Sequence, residues 1–128
     1  MNIPATYLPV MPYLILDNAP DFLEYAKKVF GATEQYLAPG EDGRSIMHGE
    51  LKIHDAVIMF ASSNGNWQQK TSGMFIYVES VDRVYNAAIE QGGTSLQSPT
   101  KQEYGYAAGF EDPLATTGGL TSPYNKTV

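Results

Sequence analysis

The sequence predicts an α+β fold: duplicated βαβββ modules forming a curved mixed sheet around a concave pocket, with the helices outside. Three observations carry this expectation. First, one pattern occurs twice at a shift of 62 residues, seen in the step from Tyr13 to Phe75. Met11, Tyr13, Leu14, Ile15, Leu16, Asn18, Ala19, Phe22, Leu23, Ala26 and Gly31 are answered by Gly73, Phe75, Ile76, Tyr77, Val78, Ser80, Val81, Val84, Tyr85, Ala88 and Gly93. Second, each copy is a short apolar strand, then a polar cap, then an apolar stripe at helical spacing. Third, extended segments broken by turn residues follow each helix. Strands followed by one helix per half bury both element types best as a sheet with helices on one side. At 128 residues the chain fits one domain over 1–128, with module one at about 7–62, a linker at 63–72 and module two at about 73–123.

In the first module Asn18 is the expected N-cap, with Pro20 and Asp21 in the first turn. Phe22, Leu23, Ala26, Val29 and Phe30 form one apolar stripe, and Gly31 ends the helix in the left-handed conformation. Ser80, then Val81, Val84, Tyr85 and Ala88, then Gly92-Gly93 repeat the scheme. Strands are expected at 34–38, 45–53 and 56–62, then at 95–97, 104–111 and 116–121. The polar linker between the modules contains Trp67, the one tryptophan of the chain, which fits either a lid residue or a packing anchor, packing being the favoured reading.

Strand alternation sorts the side chains by face. If His54-Asp55 is a two-residue turn, Leu51 pairs with Ile58, Gly49 with Phe60, Glu50 with Met59, and His48 lies opposite Ala61. Leu51, Ile58 and Phe60 then belong under the helices, together with Leu14, Leu16, Ile76 and Val78. His48, Glu50, Met59, Tyr13, Ile15, Phe75 and Tyr77 belong to the concave side.

The formal charge is −6 and the pI about 4.7. A nucleic-acid binder needs a basic footprint, and Lys27-Lys28 is only the wet face of a helix. The absence of cysteine excludes disulfides, thiolate metal sites and thiol nucleophiles. No apolar run approaches the roughly 20 residues that span a bilayer, and the first residues lack a signal-peptide pattern. The expectation is a cytoplasmic protein that contacts neither nucleic acid nor membrane.

The run Pro12-Tyr13-Leu14-Ile15-Leu16-Asp17-Asn18-Ala19, with Phe30-Gly31-Ala32, resembles the opening of the vicinal-oxygen-chelate superfamily. That group includes glyoxalase I, bleomycin-resistance proteins and extradiol dioxygenases. His48-Gly49-Glu50-Leu51-Lys52-Ile53, Val57-Ile58-Met59-Phe60 and Gly109-Phe110-Glu111-Asp112-Pro113-Leu114 are similar to its PhnB-like, glyoxalase-like branch. The similarity runs from about Tyr7 to Pro123 and specifies fold far better than reaction. In metal-dependent members, four inward positions hold a divalent cation. The resemblance maps them to Met11, Met59, Gly73 and Gly119, none of which offers a hard oxygen or an imidazole. No cofactor is therefore expected, and glyoxalase I or dioxygenase chemistry is disfavoured. The chain also departs from the branch in its last hairpin. Asp112-Pro113-Leu114-Ala115 stands for Asp-Pro-Phe-Gly, Gly118-Gly119 for aromatic residues, and Ala107 for an arginine.

Candidate ligand-binding residues are Tyr13, His48, Glu50, Met59, Phe75, Tyr77, Tyr104 and Tyr106. His48 and Glu50, two apart on one strand, are either an acid–base pair, a displaced metal site or a polar patch that lines the pocket. Tyr13, Phe75 and Tyr77 either stack on a planar or cationic ligand or fill the concavity or a dimer seam. Tyr104 and Tyr106 flank Gly105 in an expected loop. His54 belongs to an exposed hairpin tip, and Arg44 to a local ion pair. Ser62-Ser63 lacks a neighbouring His–acid set, and Gly92-Gly93 ends a helix rather than opening a phosphate cradle. Three functions stay open. One is a metal-free homodimeric protein that binds a cationic or aromatic small molecule without turnover, as the resemblance to resistance proteins implies. A second is an isomerase or lyase using His48 and Glu50. The third is a degenerate paralogue acting as a dimeric interaction module.

Overall fold

Each copy of the repeat folds as strand, helix and three further strands. The computed structural model describes residues 1–114 and, by backbone alone, 117–121. The order is β1 (Tyr13–Leu16), α1 (Ala19–Phe30), β2 (Thr33–Pro39), β3 (Ile46–Ile53), β4 (Ala56–Ser62), β5 (Met74–Tyr77), α2 (Val81–Glu90), β6 (Thr94–Gln102), β7 (Gly105–Glu111) and β8 (Thr117–Thr121). The chain divides into two units, Met1–Thr71 and the remainder from Ser72. Each holds a four-stranded mixed sheet of the same topology, β1-β4-β3-β2 in the first and β5-β8-β7-β6 in the second. The first strand of each pairs parallel with the last, and the other pairings are antiparallel.

In the first unit the register follows strand alternation. Gly49 pairs with Phe60, Glu50 with Met59 and Leu51 with Ile58. The two-residue turn puts His54 at φ 53°, the left-handed geometry such a hairpin demands. Leu14, Leu16, Leu51, Ile58 and Phe60 are buried beneath α1, where Phe22 meets Phe60 edge-on at 5.6 Å. Gly49 makes this possible. A Cβ there would lie 2.5 Å from the Phe60 ring. Tyr25 joins the buried face of α1 although the stripe did not include it.

Helix ends differ in detail. Asn18 contributes its carbonyl, which accepts from the Phe22 N–H at 3.1 Å, but its side chain makes no capping bond. Gly31 takes the left-handed conformation and its N–H reaches the Lys27 carbonyl. Ser80 caps α2 through the Arg83 N–H at 3.2 Å.

Two expectations change in the second unit. The strand expected at 95–97 is the longer β6, which continues through Pro99. β6 is an edge strand whose pairing is irregular between Gln97 and Thr100, so proline removes no ladder bond there. The loop expected around Tyr104 is a tight turn, because Gln102 pairs with Gly105. The expected departure at Ala115 lies outside the described residues, as do Thr116 and the end of module two.

Candidate functional site

The first unit concentrates its polar chemistry on one buried carboxylate. Glu50 is only 3% exposed: its place in β3 points it away from α1, and the side chains of Tyr7, Gln35 and His48 close over its carboxylate. Tyr7 Oη donates to both carboxylate oxygens at 3.0 Å, and Gln35 Nε2 donates to Oε1 at 3.1 Å. His48 Nε2 lies 2.8 Å from Oε2. Burial by itself would raise the pKa of Glu50. Bonds from Gln35, His48 and Tyr7, with the charge of His48, outweigh burial and hold it below its ordinary value. The same carboxylate pushes the Tyr7 phenol up, chiefly through their hydrogen bond.

His48 extends this network outward. Its Nδ1 stands 2.9 Å from Tyr13 Oη, and the two rings are tilted at 5.5 Å. Tyr36 flanks the imidazole at 6.1 Å. An ionised carboxylate can only accept, so Nε2 carries the proton facing Glu50. With neutral imidazole, Nδ1 then accepts from the Tyr13 hydroxyl. Glu50, His48 and Tyr13 thus form a continuous chain from a buried anion to a half-exposed phenol.

Tyr13 lines a cavity of about 910 Å³ within the first unit. Ile15, Ile46 and Ala61 contribute its apolar floor, and Met47 and Trp67 its exposed wall. Glu41, Asp42 and Lys70 add charge at the rim. Asp42 Oδ1 accepts from the Arg44 N–H, the Ser45 N–H and the Ser45 hydroxyl at 2.8–2.9 Å. Those bonds, led by the Ser45 N–H, lower its pKa to about 2. Arg44 serves this turn chiefly through its backbone N–H and, to a lesser degree, through the attraction of its charge for Asp42.

The opposite wall is the linker. Ile15 and Lys70 exchange both backbone bonds at 2.8–3.0 Å, which closes the free edge of β1. Gln69 accepts from the Asp17 N–H, and Ser63 donates to the Asp17 carboxylate. Asn64 ties the Asn66 and Trp67 N–H groups into a turn. Trp67 is 60% exposed on the cavity wall, so it is not the packing anchor its sequence context suggested.

The other candidate residues divide between the units. Met59 stands cross-strand from both Tyr13 and Glu50. Phe75 and Tyr77 are exposed on β5, their rings edge-on at 5.6 Å, and Tyr104 lies 6.1 Å from Phe75. Tyr106 donates to Asp82 on α2 at 2.7 Å, and that bond raises its pKa. His54 is exposed at the hairpin tip. Among the described residues, no group of three or more His, Asp or Glu side chains is placed to hold a metal. Tyr7, Gln35, Trp67 and the rim residues were not singled out as site residues from sequence.

The two registers show what duplication kept and what it did not. Tyr13 opposes Met59 as Phe75 opposes Gly119, and Glu50 opposes Met59 as Gly109 opposes Gly119. Phe75, Ala107 and Gly109 therefore occupy the places of Tyr13, His48 and Glu50. Backbone is shared by both copies; the hydrogen-bonded chain belongs to the first.

No family model matches the chain. Solved structures match it over nearly their full length. A PhnB protein from Bacillus cereus aligns with a TM-score of 0.71 at 13% identity, covering 90% of this chain and 99% of that one. A glyoxalase/bleomycin resistance protein/dioxygenase family enzyme from Burkholderia phytofirmans gives 0.65 at 18%, covering 93% and 98%. The fold is that of the glyoxalase/bleomycin-resistance proteins. TnmS3, an antibiotic binding protein from a Streptomyces species, shares the glyoxalase/bleomycin-resistance fold with a TM-score of 0.68 at 16% identity, covering 92% of this chain and all of that one. An uncharacterised protein of Mycobacterium bovis is 26% identical over 124 aligned residues, covering 88% of this chain and 81% of its own. No helix among the described residues is long and apolar enough to cross a membrane.

Proposed function

We propose that this protein binds a small aromatic, cationic molecule in the cavity of its first module without turning it over. The cavity wall carries this reading. Trp67 and Tyr13 present exposed aromatic faces to a space of about 910 Å³, a volume suited to a drug-sized ligand, beside the Glu41 and Asp42 carboxylates. Asp42 is ionised throughout the physiological range, as an ordinary aspartate is, and its turn bonds lower its pKa further, to about 2. Exposed indole attracts a cation by about 0.5–2 kcal/mol, and Met47 adds apolar surface that adapts to irregular shapes. The antibiotic-binding description of TnmS3 lends support, since that protein has the same fold.

The chain reports its own occupancy, because Trp67 is its one tryptophan. Titration with a panel of cationic aromatic compounds, such as ethidium and berberine, should quench Trp67 fluorescence saturably. Trp67→Ala, followed by calorimetry, should weaken binding by roughly 3- to 30-fold, the loss of one cation–π contact. A panel that leaves both fluorescence and melting temperature unchanged contradicts the proposal.

We further propose that two copies pair through the second module, in a protein that works in the cytoplasm. Phe75, Tyr77 and Tyr104 form an exposed aromatic cluster, with Leu96 61% exposed in the same unit. A chain that stays monomeric in light scattering at high concentration removes this part.

A further inference from the structure

From the chain Glu50–His48–Tyr13 we infer that Tyr13 is a nucleophile toward activated acyl esters entering the first-module cavity. A hydroxyl, an imidazole and a carboxylate in sequence are the parts that activate an alcohol for acyl transfer, and they are recognised by geometry rather than by fold. Each link is present. Tyr13 Oη is 2.9 Å from His48 Nδ1, and His48 Nε2 is 2.8 Å from Glu50 Oε2. Exposure is graded along the chain in the useful direction. The Glu50 side chain is 4% exposed, that of His48 27%, and Tyr13 as a whole 48%. Of the three, only Tyr13 lines the cavity.

Two further contacts fix the base. Tyr7 and Gln35 bind the Glu50 carboxylate, so it cannot turn away from the imidazole. Glu50 is a positioning residue: it selects the His48 tautomer with a bare Nδ1 and stabilises the imidazolium once formed. The second module, with phenylalanine, alanine and glycine at the matching places, has none of these groups.

The step balances without a cofactor. Tyr13 Oη attacks the acyl carbon as its proton passes to His48 Nδ1. The ester C–O bond breaks, and the leaving oxygen takes the electron pair and then the proton. Tyr13 is left as an aryl ester, which water hydrolyses in a second step with His48 again as base. The ester bond is the chemical class assigned. This activity goes beyond ligand binding and does not require it.

The test is acylation of the whole protein by p-nitrophenyl acetate. Release of p-nitrophenolate is followed by absorbance, and the acetylated residue is mapped by peptide mass spectrometry. The expected result is one fast equivalent with the acetyl group on Tyr13. Tyr13→Phe keeps the ring and removes the burst, whereas Tyr85→Phe, whose hydroxyl bonds Ser95, leaves it intact. His48→Ala slows acylation roughly a hundredfold or more, and His48→Gln, which keeps a hydrogen-bonding side chain but supplies no base, slows it as much, whereas a purely structural role would let glutamine restore the rate. Glu50→Gln slows it about tenfold or more. An acetyl group on Lys70 or His48, a burst that survives Tyr13→Phe, or His48→Ala acylated at the parental rate overturns the inference. Cationic aromatic ligands that bind with no burst leave the binding reading standing alone.

Discussion

Removing the Glu50 side chain strands three donors at once. In Glu50→Ala the Tyr7 hydroxyl, Gln35 Nε2 and His48 Nε2 all lose the acceptor they share. A hydrogen bond to a charged group contributes a net of about 1.5–3 kcal/mol. The contributions do not add fully, because the half-buried donors regain some water. A loss of about 3–5 kcal/mol follows, against a typical domain stability of roughly 5–15 kcal/mol. Urea unfolding at neutral pH, read by Trp67 fluorescence, should show the midpoint fall with the slope unchanged. The direction of the Glu50 shift adds a pH test. Its folded pKa lies below the ordinary 4.5, so the ionised form stabilises the fold above that ordinary value. The contribution is lost as pH falls through the folded value. The gap between parent and Glu50→Gln should therefore be widest near neutrality and close in acid. A loss below about 1 kcal/mol for Glu50→Ala, or a gap that widens in acid, refutes the reasoning.

Other perturbations have equally definite outcomes. Gly49→Ala drives a methyl group against the buried Phe60 ring, where a Cβ would sit at 2.5 Å. It should cost about 1–3 kcal/mol in calorimetry, and the melting temperature of the shortened Gly49→Ala/Phe60→Leu pair should recover part of the loss. Asp42→Ala removes the acceptor of three turn bonds. It should lower thermal stability above pH 4, with the difference vanishing as pH approaches the folded value of about 2, and an unchanged acid profile would contradict it.

The helices and the first hairpin were legible because each rests on a local rule. A glycine at φ 67° after the stripe ends α1, and the two-residue His54-Asp55 turn sets every pairing of β3 with β4. Once that register is fixed, parity places Glu50 and His48 on the open face beside Tyr13. Parity fails at a bulge. β2 skips a residue between Glu34 and Tyr36, so alternation gave no reason to aim Gln35 at Glu50. Tyr7 lies before β1 in a segment without regular structure, where periodicity says nothing. A buried carboxylate needs donors beyond one histidine, and that demand was the available signal for both. The linker's sequence is polar and without periodicity, yet its pairing of Lys70 with Ile15 makes it a wall of the cavity. That contact is non-local, and composition does not encode it. β6 runs past Gln97 and through Pro99, since an edge strand tolerates proline.

A crystal structure with a bound cationic aromatic compound tests the central claim most directly. The account predicts the ligand in the first module, its ring against Trp67 or Tyr13 and its charge toward Glu41 and Asp42. A ligand seated instead on Phe75 and Tyr77, with the Trp67 cavity empty, contradicts it.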